Sequence, residues 1–223
     1  MASSTTSPAL PPVYFWRQRE PEGGCFSQWY HCAFFDPEDP SVVYPTAEHY
    51  MMYQKALLFN DTAIAPRILS ARHPRDVKAL GRQVKNFNEA IWRRERERIV
   101  LKGNILKFTN PVARDEGSGW FVKVTETVSG EEGEKNEEGT RTVTTSYTLR
   151  EMLLRTGDRE IVEASPMDRI WGIGFAAGKA EEVGRERWGL NLLGKALMEV
   201  RRLLREEERK KRRMRRGRGG GGE

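Results

Sequence analysis

An uninterrupted helix-forming stretch, Tyr44 to Phe59, constrains the fold of this chain more than any other feature. Thr46 is a natural N-cap, because its hydroxyl can accept a hydrogen bond from an unpaired N–H of the first turn. Glu48 lies in that first turn, where a negative charge suits the helix dipole. Neither Gly nor Pro occurs in the thirteen residues that follow Thr46. The sequence therefore predicts a helix over 47–59.

This helix carries two charged side chains on one of its apolar faces. At 100° per residue, Glu48 and Lys55 project from the same side of the helix. That side also carries Met51, Met52 and Phe59, and the other side carries Tyr50, Tyr53 and Leu57. Two largely apolar faces predict a helix that is buried on both sides. Glu48 and Lys55 are separated by about 10 Å of helical rise, and burying them is costly unless they are paired or line a cavity.

The spacing leaves two interpretations of Glu48 and Lys55 open. In the first, both side chains reach past the apolar face to solvent. In the second, they face one polar pocket, where a Lys with a lowered pKa acts as a nucleophile and the Glu assists it.

The composition indicates a domain with a tail at each end. Residues 1–12 are rich in Ser, Thr, Ala and Pro, and residues 209–223 consist mainly of Arg, Lys and Gly. Such segments cannot bury a core, so the sequence predicts disordered tails around a single domain at 13–208. The basic tail accounts for much of the net charge of +6. It is either a nuclear-import or nucleic-acid-binding patch or a solvated low-complexity end.

The rest of the domain predicts a mainly helical α+β fold with a few short strands. Helices are predicted at 62–72, 74–80, 89–107 and 149–155, and a further helix begins near Asn191. Between these helices, residues from about 112 to 146 contain two β-rich runs that flank an acidic, Gly-rich stretch. This pattern is typical of a β-hairpin insertion with a flexible tip.

Several classes of site and location are not expected from the sequence. Cys25 and Cys32, with His31 between them, are too few and too widely spaced for a zinc site. No Walker loop, nucleophile elbow or dinucleotide-binding glycine pattern is convincing. There is no signal peptide, and no segment approaches eighteen apolar residues. We therefore expect no metal, no membrane span and a cytoplasmic location, with the nucleus as the alternative if the basic tail directs import.

Asp168 and Asn191 are two further candidate functional residues. Asp168 lies in a Gly-containing loop at 163–174, close to Trp171. It is a candidate for acid–base chemistry on a flat substrate, and the alternative is an Asx turn beside a core Trp. Asn191 begins the last helix, whose free N–H groups can hold a phosphate. The alternative there is a plain helix cap.

Several segments together resemble the NADAR family. They are Phe26-Ser-Gln-Trp, Tyr44-Pro-Thr-Ala-Glu-His-Tyr with Gln54-Lys55, Gly81-Arg82, Trp92, Asp168-x-x-Trp-Gly-x-Gly and Gly189-x-Asn-x-Leu-Gly-x-x-Leu-Met-Glu-Val-Arg. The resemblance covers about 24–110 and 147–204. It implies a compact, mainly helical α+β domain that cleaves N-glycosidic bonds. The first of these segments departs mildly from the family's Ser-Asn-Phe form, which leaves the role of Gln28 open.

The resemblance also implies a substrate class and a set of site residues. Family substrates are phosphoribosylamino-pyrimidine intermediates of riboflavin synthesis, or ADP-ribose attached to guanine in nucleic acid. The family's Schiff-base lysine falls on Lys55, with Glu48 and Asp168 as the other catalytic residues. The residues implied in substrate binding are Trp171, Gly172, Trp92, Phe26, Ser27, Asn191 and Arg82. No cofactor is expected. The alternative function is a non-catalytic module that binds NAD or ADP-ribose derivatives.

Overall fold

The structure is a computed structural model and describes residues 10–21, 23–129 and 140–218. Its helices are, in chain order, α1 (Ala47–Leu58), α2 (Ala65–Ser70), α3 (Pro74–Gly81), α4 (Glu89–Thr109), α5 (Leu149–Arg155), α6 (Ala177–Ala180) and α7 (Leu192–Arg218). Its strands are β1 (Val13–Phe15), β2 (Phe34–Asp36), β3 (Asp39–Tyr44), β4 (Phe121–Ser129), β5 (Thr140–Thr148) and β6 (Ile161–Glu163). Within the described residues the strands form three two-stranded sheets. The fold is therefore mainly helical α+β, as the sequence predicts.

The described residues form two compact units, which we name the central unit (17–153) and the terminal unit (10–16 and 154–218). The central unit is built around α1, which contacts α2, α3 and α4. Two glycines allow this close packing of helices. A Cβ at Gly81 would lie 2.0 Å from Met52 Sδ, and a Cβ at Gly103 would lie 2.6 Å from Tyr50 Cδ1. The sides of α1 that carry Met52 and Tyr50 are both buried, but Leu57 is 42% exposed, which differs from the predicted burial of its face.

Two helices in the central unit begin at side-chain caps, and the cap predicted at Thr46 is confirmed. The Thr46 hydroxyl accepts from His49 N–H at the start of α1. The Asn88 side chain accepts from Ile91 N–H at 3.0 Å at the start of α4. The helix expected at 62–72 is shorter, since α2 begins only at Ala65.

The reason for the late start of α2 lies in Asp61 and Pro66. Asp61 is buried, and its carboxylate accepts from Ile64 N–H and from Lys85 N–H. The residues from Thr62 onward form a turn around this carboxylate instead of a first helical turn. Pro66 then occupies the first turn of α2, where its missing N–H costs nothing.

The predicted hairpin insertion is present. Strands β4 and β5 pair antiparallel, from Phe121 opposite Thr148 to Ser129 opposite Thr140. The predicted flexible tip lies outside the described residues. The hairpin leads directly into α5, where Thr148 and Glu151 form a capping box: each side chain accepts from the other's backbone N–H.

The terminal unit consists of a parallel β1–β6 pair and the long helix α7. Val13 lies opposite Ile161, and Phe15 lies opposite Glu163. Helix α7 packs on β6. Its apolar side is buried, at Leu193, Leu197, Val200 and Leu204.

Helix α7 continues to Arg218, so residues 209–218 are helical, which differs from the disordered tail expected there. Lys, Arg and Glu are good helix formers, and the side chains from 209 to 216 are exposed. Among the described residues, no helix is both long enough and apolar enough to cross a membrane.

Candidate active site

Lys55 lies on the last turn of α1 in a half-buried, largely aromatic environment. Its Nζ donates a hydrogen bond to Gly81 O at 2.8 Å. The same nitrogen lies 4.2 Å from the ring centroid of Phe87 and 5.5 Å from that of Trp92. Phe87 in turn packs edge-on against Phe59, with centroids 5.3 Å apart. These contacts fix the amine beside aromatic faces.

The surroundings of Lys55 shift its titration towards the neutral amine. Burial lowers the pKa of Lys55, and the carboxylate of Glu89 opposes that shift. A neutral amine keeps a lone pair for nucleophilic attack while one of its hydrogens remains on the carbonyl of Gly81. The Lys55 amine therefore lies against the protein and is not extended into solvent, while a polar pocket shared with Glu48 stays a prediction.

Glu48 shares the Lys55 face of α1 and is buried, with 4% of its surface exposed. Its backbone N–H donates to Gln28 O at 3.0 Å, which ties the 25–29 loop to the start of α1. The loop is also held by Lys107, whose Nζ donates to Cys25 O at 2.7 Å and to Ser27 O at 2.9 Å. Three hydrogen bonds to the carbonyls of this loop therefore fix its course.

The predicted binding residues of this loop have different roles in the structure. Phe26 is 1% exposed and packs against Phe108, so its ring serves the core. The Ser27 hydroxyl accepts from Trp29 N–H at 3.2 Å and shapes the turn. Gln28 is the unexpected member. Its Oε1 atom is buried, and no described group donates a hydrogen bond to it.

The structure places Trp92, a predicted substrate-binding residue, beside Lys55 and adds two residues that the sequence reasoning missed. Phe87 lies just before α4, and its ring contacts the Lys55 amine. Glu89 is the first residue of α4, and its carboxylate raises the pKa of Lys55. An exposed aromatic just before a helix cap was the only available signal for Phe87. Arg82 follows α3 and is exposed, next to the Gly81 carbonyl that binds Lys55.

In the terminal unit, Asp168 forms the Asx turn that was the alternative interpretation. Its Oδ1 accepts from Ile170 N–H and from Trp171 N–H, both at 2.8 Å. Trp171 is half-buried in this turn. A Cβ at Gly172 would lie 2.6 Å from Glu163 O, so a side chain there would clash with β6. The loop is thus held rigidly, with Asp168 as its organising residue.

Asn191 requires a correction, because it neither caps α7 nor offers free donors there. It adopts the left-handed conformation (φ 50°), and its side chain bridges to β6. Its Oδ1 accepts from Glu163 N–H, and its Nδ2 donates to Ile161 O, both at 3.0 Å. The first N–H groups of α7 are also occupied, since Leu192 donates to Ile170 O and Leu193 to Trp171 O. The N–H groups of Leu192 and Leu193 are therefore not available to a phosphate, and a substrate contact of Asn191 stays a prediction.

Metal ligation has no support among the residues that the structure describes. They contain no group of three or more His, Cys, Asp or Glu side chains placed to hold a metal ion. Cys25 and Cys32 are both buried free thiols. Burial raises the pKa of Cys25 to about 12 and that of Cys32 to about 11, so neither is a ready thiolate.

Comparison with known proteins identifies the family of this chain. The family profile described as the NADAR domain matches residues 14–205. The chain belongs to the NADAR family. The match includes Glu48, Lys55, Trp92 and Asp168, and it spans the hairpin insertion.

Two relatives carry the name N-glycosidase. N-glycosidase R617 of Acanthamoeba polyphaga mimivirus is 37% identical over 180 residues, which cover 79% of this chain and 85% of that protein. N-glycosidase Npun_R5314 of Nostoc punctiforme is 31% identical over 196 residues, covering 86% of this chain and 92% of that protein. Family membership with named N-glycosidases at this identity confirms the prediction that the chain is an N-glycosyl hydrolase.

The fold is also similar to a solved structure. The NMR structure of the E. coli protein YbiA matches with a TM-score of 0.58 and 22% identity, over 89% of this chain and 87% of that one. At this identity the likeness concerns the fold alone, and it confirms the α+β prediction.

Proposed function

We propose that the protein cleaves the bond between a ribose C1 and a base nitrogen through an imine formed at Lys55. The observation that carries the proposal is the Lys55 amine itself. It is half-buried beside Phe87 and Trp92, and its pKa is lowered by that burial. Glu48 is buried on the same face of α1 as Lys55, and it is the one carboxylate residue in the motif segment from Tyr44 to Lys55.

The proposed reaction proceeds in two stages. First, the neutral Lys55 amine attacks C1 of the ribose, and the bond from C1 to the base nitrogen breaks. The nitrogen of Lys55 then loses a proton while the bond from C1 to the ring oxygen O4′ breaks and O4′ takes a proton, which opens the ribose and forms the C1=N bond. The departing nitrogen takes a proton, for which we propose Glu48 as the carrier. In the second stage, water adds to the C1=N bond and hydrolysis releases the ribose and the free amine. The chemistry needs no oxidant or reductant.

The aromatic surroundings support a flat base as the leaving group. The rings of Phe87 and Trp92 lie next to the amine, and Phe87 is 43% exposed, so it can stack on a base. We propose phosphoribosylamino-pyrimidine intermediates or ADP-ribosyl-guanine as substrates. A relative of 24% identity, of which the chain covers 39%, is named riboflavin biosynthesis protein VVA0006, from Vibrio vulnificus.

Asp168 and Trp171 keep the roles that the family resemblance implies, as proposals. Asp168 uses one carboxylate oxygen for its turn, which holds the other oxygen in a fixed direction. We propose acid–base work for Asp168 and base stacking for Trp171. Gly172 and Arg82 remain proposed substrate contacts. A cytoplasmic or nuclear location is also proposed, the nucleus being supported by the basic residues at 209–216.

Borohydride trapping tests the imine directly. The purified protein is incubated with each substrate and reduced, and the modified peptide is identified by mass spectrometry. We expect a ribose adduct on Lys55, none in Lys55→Ala, and wild-type trapping in Lys78→Ala, which removes an exposed lysine of α3. Turnover without any trapped adduct would favour direct attack by water. Binding without turnover or trapping would favour the non-catalytic module.

A further inference from the structure

A cavity lies in the central unit, on a different side of α1 from Lys55. Its volume is about 660 Å³, and Thr46 and His49 form part of its wall, whereas Lys55 and Glu48 do not. On a helix, His49 projects about 120° away from Lys55. The side chains that give the cavity its chemistry are Arg19, Trp29, Tyr30, His49, Ser70 and Arg72.

The charge of this cavity is positive. Of the described residues that line it, none is acidic. Arg19 and Arg72 are both exposed, and neither forms an ion pair with any described Asp or Glu. Two guanidinium groups that face one cavity favour an anion, and their planar forks suit the oxygens of a phosphate.

The same cavity offers aromatic surface. Trp29 and Tyr30 are half-buried, so each ring is held by the protein and partly accessible. Trp29 N–H donates to Ser27 Oγ, and the ammonium of Lys107 lies 5.5 Å from the Tyr30 ring centroid. These contacts hold the two residues in place. A base can stack on such rings whatever its identity.

His49 makes the cavity wall rigid. Its Nε2 donates to Ala71 O at 2.9 Å, and its Nδ1 lies 2.8 Å from the Thr46 hydroxyl. A neutral ring with hydrogen on Nε2 satisfies both contacts, and burial lowers the pKa of His49 accordingly. The bond to Ala71 fixes the backbone beside Arg72. The guanidinium of Arg72 is therefore presented from an anchored segment.

We propose that this cavity binds a nucleotide, with its phosphates on Arg19 and Arg72 and its base against Trp29 and Tyr30. The volume lies in the range of small-molecule sites, roughly 300–1,000 Å³. Because the cavity excludes Lys55, this is a second site. Nucleotide binding at this cavity does not depend on imine formation at Lys55.

Calorimetric titration of the full chain with ADP tests the site. The probes are ADP, adenosine and inorganic phosphate, and the first variant is Arg19→Ala/Arg72→Ala. The matched control is Arg67→Ala/Arg75→Ala, which removes the same charge from exposed positions of α2 and α3 outside the cavity. Circular dichroism and thermal melting establish that each variant is folded.

The expected result is saturable binding of ADP that weakens about tenfold or more in Arg19→Ala/Arg72→Ala, since each charge-assisted bond contributes substantially. The control variant and Lys55→Ala bind ADP as the wild type does, and adenosine and phosphate bind more weakly. Three results would overturn the proposal: no saturable binding of ADP, loss of binding in Lys55→Ala, or inorganic phosphate binding as tightly as ADP.

Discussion

Two lysines of the central unit have pKa values lowered by burial, but their surroundings differ. Lys107 has no exposed surface, and its Nζ donates to two carbonyls, Cys25 O and Ser27 O. Lys55 is half-buried, and its Nζ donates to one carbonyl beside an exposed aromatic ring, Phe87. Lys107 Nζ is held by two carbonyls and sealed from solvent, whereas Lys55 Nζ is held by one carbonyl and remains accessible.

This comparison separates a structural amine from a reactive one. A lowered pKa by itself does not identify a nucleophile, because Lys107 has the clearer shift, to about 8. Access and neighbouring aromatic surface distinguish Lys55.

The largest expected effect is on catalysis. Lys55→Ala and Lys55→Arg should each lower kcat by about a thousandfold or more, because a covalent nucleophile is removed. Arg keeps the positive charge but forms no imine, so it separates chemistry from charge. The measurement is steady-state release of the free base, with Lys78→Ala as the control. Turnover of Lys55→Arg near the wild-type rate would contradict the assignment of Lys55.

The second expected effect is on stability and belongs to Lys107. Lys107→Met should lower the free energy of unfolding by about 3 kcal/mol, since two buried carbonyls lose their donors. Thermal and urea denaturation measure it, with Lys55→Met as the matched control. Equal destabilisation by the two substitutions would show that burial alone, and not the two carbonyl contacts, sets the cost.

The pH dependence of that difference follows from the pKa of Lys107, which burial lowers to about 8. An unfolded lysine has a pKa of about 10.4. Between these values the unfolded chain binds more protons than the folded one, so stability rises with pH. The contribution is constant below about pH 8. Wild type should therefore gain stability relative to Lys107→Met as the pH is raised from 8 towards 10.

How much of this could be read from the sequence depends on whether the signal was local. The start of α1 at Thr46 and that of α4 at Asn88 were predictable, because each cap acts within one helical turn. Lys55 and Glu48 were singled out because their spacing places them on one face. The hairpin pairing also follows from a local pattern of two β-rich runs around a polar stretch.

The rest depends on packing between distant segments. Phe87 and Glu89 reach Lys55 only because α1, α3 and α4 approach closely, which glycine at position 81 allows at Met52. In the sequence, Lys107 is indistinguishable from the other charged residues of α4. Its structural role is visible only in the fold, where its Nζ donates to carbonyls of the 25–29 loop. Asn is a residue type typical of helix caps, but the Asn191 side chain donates a hydrogen bond to Ile161 O of β6, thirty residues earlier in the sequence.

A smaller effect is expected from the basic end of α7. Removing 209–223 should leave turnover of a small phosphoribosyl substrate unchanged, because no described contact of Lys55 or Lys107 comes from this segment. Binding to an ADP-ribosylated oligonucleotide should weaken, since eight Arg or Lys residues lie between 209 and 218. Binding across a salt series measures this, because phosphate contacts are lost steeply as salt rises. Equal affinities and salt slopes would remove any nucleic-acid role of the segment.

The smallest effect is expected from shortening the β4–β5 hairpin by deleting residues 128–140. The described contacts of the two lysine regions come from 25–30, 81–92 and 108, and none comes from this hairpin. Long surface loops are also shortened at little free-energy cost. Turnover and the thermal midpoint should therefore both stay close to wild type. A lower midpoint with unchanged turnover would show that the hairpin stabilises the central unit, whereas lower turnover with an unchanged midpoint would make it part of the substrate site.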